Sequence, residues 1–129
     1  MHKDVEHLTF RDLDGNIPLP IPSSMLENWY ISVRDIKVAE LGIGDLARAC
    51  RQNEFVEEVV PYCLKELKRD PLAGVLYLGE LAKALTQIPT EYWTSHTIEK
   101  DTFLALAKHG YEESENKYLN ISEADLLPK

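Results

Sequence analysis

The sequence predicts an all-α fold, a compact bundle of about five to seven short helices with an extended proline-rich N-terminal strap. Three apolar stripes at helical spacing carry that prediction. Ile43, Leu46, Ala47 and Cys50 fall at i, i+3, i+4 and i+7 of one helix face. Val56, Val59, Val60, Cys63, Leu64 and Leu67 repeat the spacing over the next stretch, and Leu78, Leu81, Ala82 and Leu85 supply a third stripe. Each stripe must be buried, and the short connections make neighbouring helices its natural cover. The 129 residues fit one domain, with an extended segment 1–22, a helical body 23–110 and an acidic C-terminal segment 111–129.

In the N-terminal segment, Asp14-Gly15-Asn16 is a strong turn signal, and Pro18, Pro20 and Pro22 favour extended polyproline geometry. Leu13, Ile17, Leu19 and Ile21 can lie along the helices as a strap; a hairpin at Asp14-Gly15 is the alternative, confined to an edge by its prolines. Ser24-Met25-Leu26-Glu27 matches a capping box opening a helix with Trp29 as core anchor. Residues 32–40 read as a second short helix or a strand. Asp45 suits the start of the next helix, where a carboxylate meets free backbone N–H groups.

Pro61 interrupts the strongest stripe, so a kink is expected there, or a break with Asn53 capping one helix and Pro61 opening the next. Asp70-Pro71 stops that helix, and Gly79 is expected inside the following one, permitting a close helix–helix approach. Thr90 caps a short turn carrying Tyr92 and Trp93, whose polar flanks predict more exposure than for Trp29. The last clear helix starts near Thr97, with Phe103, Leu106 and Ala107 on its buried side, and Lys108-His109-Gly110 reads as its stop.

Fourteen Lys and Arg against 22 Asp and Glu give a net charge of −8. The ends carry most of it: residues 1–46 hold 8 acids and 4 bases, residues 111–129 hold 5 and 2, and the middle is almost neutral. This balance opposes nucleic-acid binding, because phosphate repels a negative surface, and suits a basic protein partner. The chain has no apolar run of membrane-spanning length and no signal-peptide core at its N-terminus, which points to the cytoplasm. Cys50 and Cys63 lie on apolar stripes and are expected to pack as free thiols, not to form a disulfide or a zinc site.

No catalytic constellation is apparent. His2, His7, His96 and His109 lack metal-ligand spacing, and there is no nucleophile elbow or nucleotide-binding glycine fingerprint. Glu57 and Glu58 are adjacent and diverge around a helix, so they cannot converge on one substrate. The expectation is a binding protein without enzymatic activity, cofactor, metal or small-molecule substrate.

The block Leu41-Gly42-Ile43-Gly44-Asp45-Leu46-Ala47-Arg48 and the sequence after it, to about Trp93, resembles an immunity protein of bacterial contact-dependent growth inhibition (CDI) systems. Arg51-Gln52, Val60-Pro61, Asp70-Pro71-Leu72 and Leu78-Gly79-Glu80-Leu81 carry the rest of the likeness, which departs from the expected pattern at Leu78, where an acidic residue would precede the glycine. The resemblance implies a cytoplasmic protein that binds and neutralises one cognate toxin domain, often a basic nuclease. Within that reading, Glu112, Glu113 and Glu115 with Tyr111 and Tyr118 are the first candidates for toxin contact, followed by Asp12 and Asp14. The rival readings are a helical adaptor using a groove beside Tyr92 and Trp93 and, more distantly, an acidic mimic of nucleic acid.

Overall fold

The computed structural model describes residues 7–16, 18, 24–113, 121 and 126. The chain divides into two compact units, Met1–Gly42 and Ile43–Lys129. Among the described residues there are seven α-helices and no strand, in agreement with the predicted helical class. Most of the proline-rich strap (residues 17 and 19–22) lies outside the described residues.

The first unit begins with a helix of four residues, α1 (Phe10–Leu13), and that length is marginal without help from its ends. Thr9 supplies the help. Its hydroxyl accepts from the Asp12 N–H while the Asp12 carboxylate accepts from the Thr9 N–H at 3.0 Å, a complete capping box. Asp14-Gly15-Asn16 then forms the expected turn, with Gly15 at φ 77 and Asn16 at φ 59, but it closes a helix and not a hairpin. The second helix, α2 (Met25–Val33), is capped by Ser24, whose Oγ accepts from the Glu27 N–H at 3.1 Å. Beyond it the chain makes only a 3-10 turn at Val38–Glu40, not a second α-helix. Its backbone instead turns back along the start of the chain, where Val38 donates to the Leu8 carbonyl and Thr9 bridges antiparallel to Lys37.

Two devices hold this unit together. Phe10 is fully buried, stacked on Tyr30 with ring centroids 5.7 Å apart and set edge-on to Trp29. Beside it Asp14 takes a bidentate bond from Arg34, at 2.8 and 2.9 Å, and a further bond from the Tyr30 hydroxyl at 2.7 Å. The Arg34 bond, opposed by burial and assisted by Tyr30, holds the Asp14 carboxyl well below the usual carboxylate range. A lowered folded pKa means that the contribution is complete above the ordinary aspartate value of about 4 and is lost as the pH falls through the folded value. Asp14→Asn removes the negative charge facing Arg34. It is expected to lower the melting temperature at neutral pH, with the difference from the parent protein shrinking toward about pH 2 in circular-dichroism melts.

The second unit contains α3 (Ile43–Arg51), α4 (Val56–Arg69), α5 (Glu80–Leu85), α6 (Thr90–Ser95) and α7 (Thr97–Glu113). Helix α3 packs on α4 and α5, α4 also meets α5 and α7, and α6 lies against α7. The first two predicted stripes bury except at their first members: Leu46, Ala47, Cys50, Val59, Val60, Cys63, Leu64 and Leu67 lie in the core, whereas Ile43 and Val56 are half-buried. The two thiols are free, with their sulfurs 3.6 Å apart. The bond with Cys50, which favours the protonated Cys63 thiol, together with burial raises the Cys63 pKa well above the ordinary thiol value, which suits a packing role.

Several local expectations are corrected here. Asn53 does not cap α4; at φ 54 it ends α3, with its N–H on the Cys50 carbonyl and the Glu54 N–H on that of Ala49. That pair of bonds is a Schellman ending, with asparagine in the place glycine more often takes. Helix α4 runs through Pro61 without a break, because the proline lies on the exposed side, where water can serve the carbonyl that loses its donor. Gly110 does not stop α7, which continues to Glu113 with Gly110 buried inside it. Tyr92 and Trp93 are both buried, and Trp93 is more so than Trp29. Trp93 stacks on Phe103 at 5.3 Å, while the Tyr92 hydroxyl donates to Glu99 at 2.8 Å.

Candidate partner-binding surface

The third predicted stripe is where the structure departs most from the sequence reading. Helix α5 starts only at Glu80, and the preceding residues form a loop from Asp70 to Gly79. Its construction begins where α4 ends. The Asp70 N–H donates to Glu66, its carboxylate accepts from the Leu72 N–H at 3.0 Å, and its carbonyl accepts from Ala73. Pro71 has no N–H with which to continue the helix. Gly79 adopts φ 82, a left-handed conformation that other residues reach only under strain. Its N–H bonds the Leu72 carbonyl at 2.9 Å, and the Leu81 N–H bonds that of Ala73 at 3.0 Å, so the loop is laced across its base. A side chain at Gly74 would collide with the Tyr77 carbonyl and the Glu80 side chain.

Glu80 holds the loop from within. One carboxylate oxygen accepts from the Val75 and Leu76 N–H groups at 2.9 and 3.1 Å; the other accepts from the Arg51 guanidinium at 3.2 Å. Burial pushes the Glu80 pKa up, but the two backbone donors and Arg51 together outweigh it, so the group lies below its ordinary value and stays ionised. Because the amides at 75 and 76 turn toward this carboxylate, the side chains face outward. Val75, Leu76, Tyr77 and Leu78 are 69, 77, 52 and 56 % exposed, whereas Glu80 is 1 % exposed. This is the longest run of consecutive exposed large apolar side chains among the described residues. Single exposed apolar residues are ordinary, but a contiguous, rigidly supported group marks a binding surface.

The acidic residues nominated from sequence fall in different settings. Asp12 caps α1 and Asp14 is tied to Arg34 and Tyr30, so both have structural roles in the first unit. Tyr111 is half-buried and Glu112 exposed in the last turn of α7. Glu113 ends that helix, its side chain lies outside the described residues, and so do Glu115 and Tyr118. Sequence reading missed the apolar loop because Leu78 continues the helical spacing of α5. The available signal was Pro71, Gly74 and Gly79 placed around four consecutive apolar residues.

The fold and this surface describe a helical protein built to present a fixed apolar loop. Among the described residues, no group of three or more His, Cys, Asp and Glu is placed to hold a metal ion, and no helix is long and apolar enough to cross a membrane. The family profile of CDI immunity proteins matches residues 15–102, well over half of the chain. The protein belongs to the CDI immunity proteins, and membership gives it an immunity role against a CDI toxin. The matched region contains the whole Asp70–Gly79 loop and ends before Glu112. A search of curated proteins returns no match.

Proposed function

We propose that the protein neutralises one cognate toxin domain by binding it in the cytoplasm, and that this toxin is a basic nuclease. The family match over residues 15–102 is the observation that carries the reading. The net charge of −8 supports the nuclease assignment, since an inhibitor of a phosphate-binding cleft is favoured by negative charge. Inhibition by binding needs neither a catalytic group nor a cofactor. In this reading Glu112, Glu113 and Glu115, beside Tyr111 and Tyr118, draw the toxin in, and Asp12 and Asp14 act through the shape of the first unit.

Co-expression tests the function. The chain is expected to rescue cells producing the C-terminal domain of its cognate CDI toxin and to co-purify with it; failure of both would remove the immunity reading. Reversing Glu112, Glu113 and Glu115 to lysine tests the acidic surface. Toxin affinity is expected to fall by at least about tenfold at low salt, mostly through slower association, and the gap should narrow as salt is added. Unchanged affinity at low salt would eliminate that surface.

A further inference from the structure

We propose that Cys50 and Cys63 form a redox modification site that closes to a disulfide between α3 and α4 when a peroxide reaches it. They are the only two cysteines of the chain, and the fold brings both to one point where the two helices pack. Their sulfurs already touch at 3.6 Å, so a bond of about 2.05 Å needs an approach of roughly 1.5 Å, within the reach of side-chain rotation. The chemistry balances with peroxide as the sole co-reactant. The Cys50 sulfur attacks one peroxide oxygen, the O–O bond breaks, and a sulfenic acid and one water are formed. The Cys63 sulfur then attacks the Cys50 sulfur, the S–O bond breaks, and a second water leaves with the Cys63 proton. The two thiols lose two electrons and the peroxide gains them. Cys50 acts first because Cys63 is held protonated by its bond with Cys50 and by burial.

Access depends on the turn that joins the helices. Neither thiol has exposed surface, so the oxidant enters when that turn opens. Residues 52–55 make the connection, and Asn53 and Phe55 stand there at φ 54 and 47, a left-handed backbone that strains any residue but glycine. The Asn53 N–H bonds the Cys50 carbonyl, so opening frees the end of α3 that carries Cys50. Once formed, the disulfide closes the chain between residues 50 and 63 around this turn and restrains it. A reducing compartment returns the pair to thiols, which makes the bond a response to oxidant and not a permanent staple.

The test exposes the folded full chain to hydrogen peroxide, blocks the remaining thiols with N-ethylmaleimide in denaturant, and maps the peptides by mass spectrometry. A peptide joining Cys50 to Cys63, short of two hydrogens and cleaved by dithiothreitol, is the expected product. The oxidised chain is expected to melt at least about 5 °C above the reduced one, and dithiothreitol is expected to reverse the rise. Cys63→Ala is expected to show no joined peptide and no such rise. Two fully alkylated thiols after peroxide, or oxidation to separate sulfinic acids, would overturn the proposal. So would a joined peptide that forms only in urea, because the folded chain would then not be the substrate. None of these readouts involves a toxin, so they leave the immunity reading to its own experiment.

Discussion

Glu80→Ala is expected to destabilise the protein by about 3 kcal/mol, the loss of two charge-assisted backbone bonds and one guanidinium pair at a buried site. The carboxylate is almost fully enclosed and accepts from Val75, Leu76 and Arg51, so truncation removes every one of those bonds at once. The exposed position of Val75 and Leu76 lets water replace part of what is lost, which keeps the effect below that of a sealed core site. Glu80→Gln retains an acceptor for the two amides and is expected to cost about 1 kcal/mol, the charge-dependent part. Urea unfolding gives the magnitude, and hydrogen exchange locates it, since the amides of Val75 and Leu76 should become the fastest-gaining sites in the alanine variant. An alanine variant as stable as the parent would show that the loop is held by something else. The pH dependence has a definite sign. Because the folded Glu80 value is depressed, its stabilisation is present above the ordinary glutamate pKa and is lost as acid is added through the folded one.

Phe10→Ala is expected to cost about 3–5 kcal/mol, the range for deleting a large buried aromatic side chain. Phe10 has no exposed surface, and Tyr30 and Trp29 lie against its two sides. Its helix has four residues and little stability of its own, so removing its one buried side chain releases the capping box as well. A red shift and broadening of Trp29 fluorescence should accompany the lower melting temperature. Phe10→Leu keeps the site apolar and is expected to lose roughly half as much.

Parts of this architecture were legible in the sequence and parts were not, for identifiable reasons. The α3 and α4 stripes are long enough for periodicity to decide them, and Cys50 and Cys63 fell where their spacing put them. The Ser24 cap and the turn at Asp14-Gly15 rest on local chemistry and were readable for that reason. The Thr9-Phe10-Arg11-Asp12 capping box was equally local but lies before a helix too short to show a period. Leu78 and Gly79 could not be placed by spacing, because the positions 78, 81, 82 and 85 satisfy a helix whether or not its first member belongs to it. What excludes Leu78 is the left-handed backbone at Gly79 and Glu80 reaching back to two amides, while its other carboxylate oxygen is held by Arg51 on another helix; spacing along the chain reports none of these contacts. Trp93 was misjudged from its polar flanks: in a helix of six residues packed on α7, neighbours in sequence report little about which side faces inward. The acidic candidates near the C-terminus were chosen as carboxylates beside aromatic residues, and Glu115 and Tyr118 among them lie outside the described residues.

The way Glu80 holds its own neighbours has a consequence for how tightly the molecule can grip. A segment that already has its final shape surrenders little freedom when it is captured, so nearly all the attraction it generates is retained as residence time. A substitution at Glu80 is therefore expected to raise the ordering cost for any partner that takes up Val75–Leu78, and so to shorten the lifetime of such a complex.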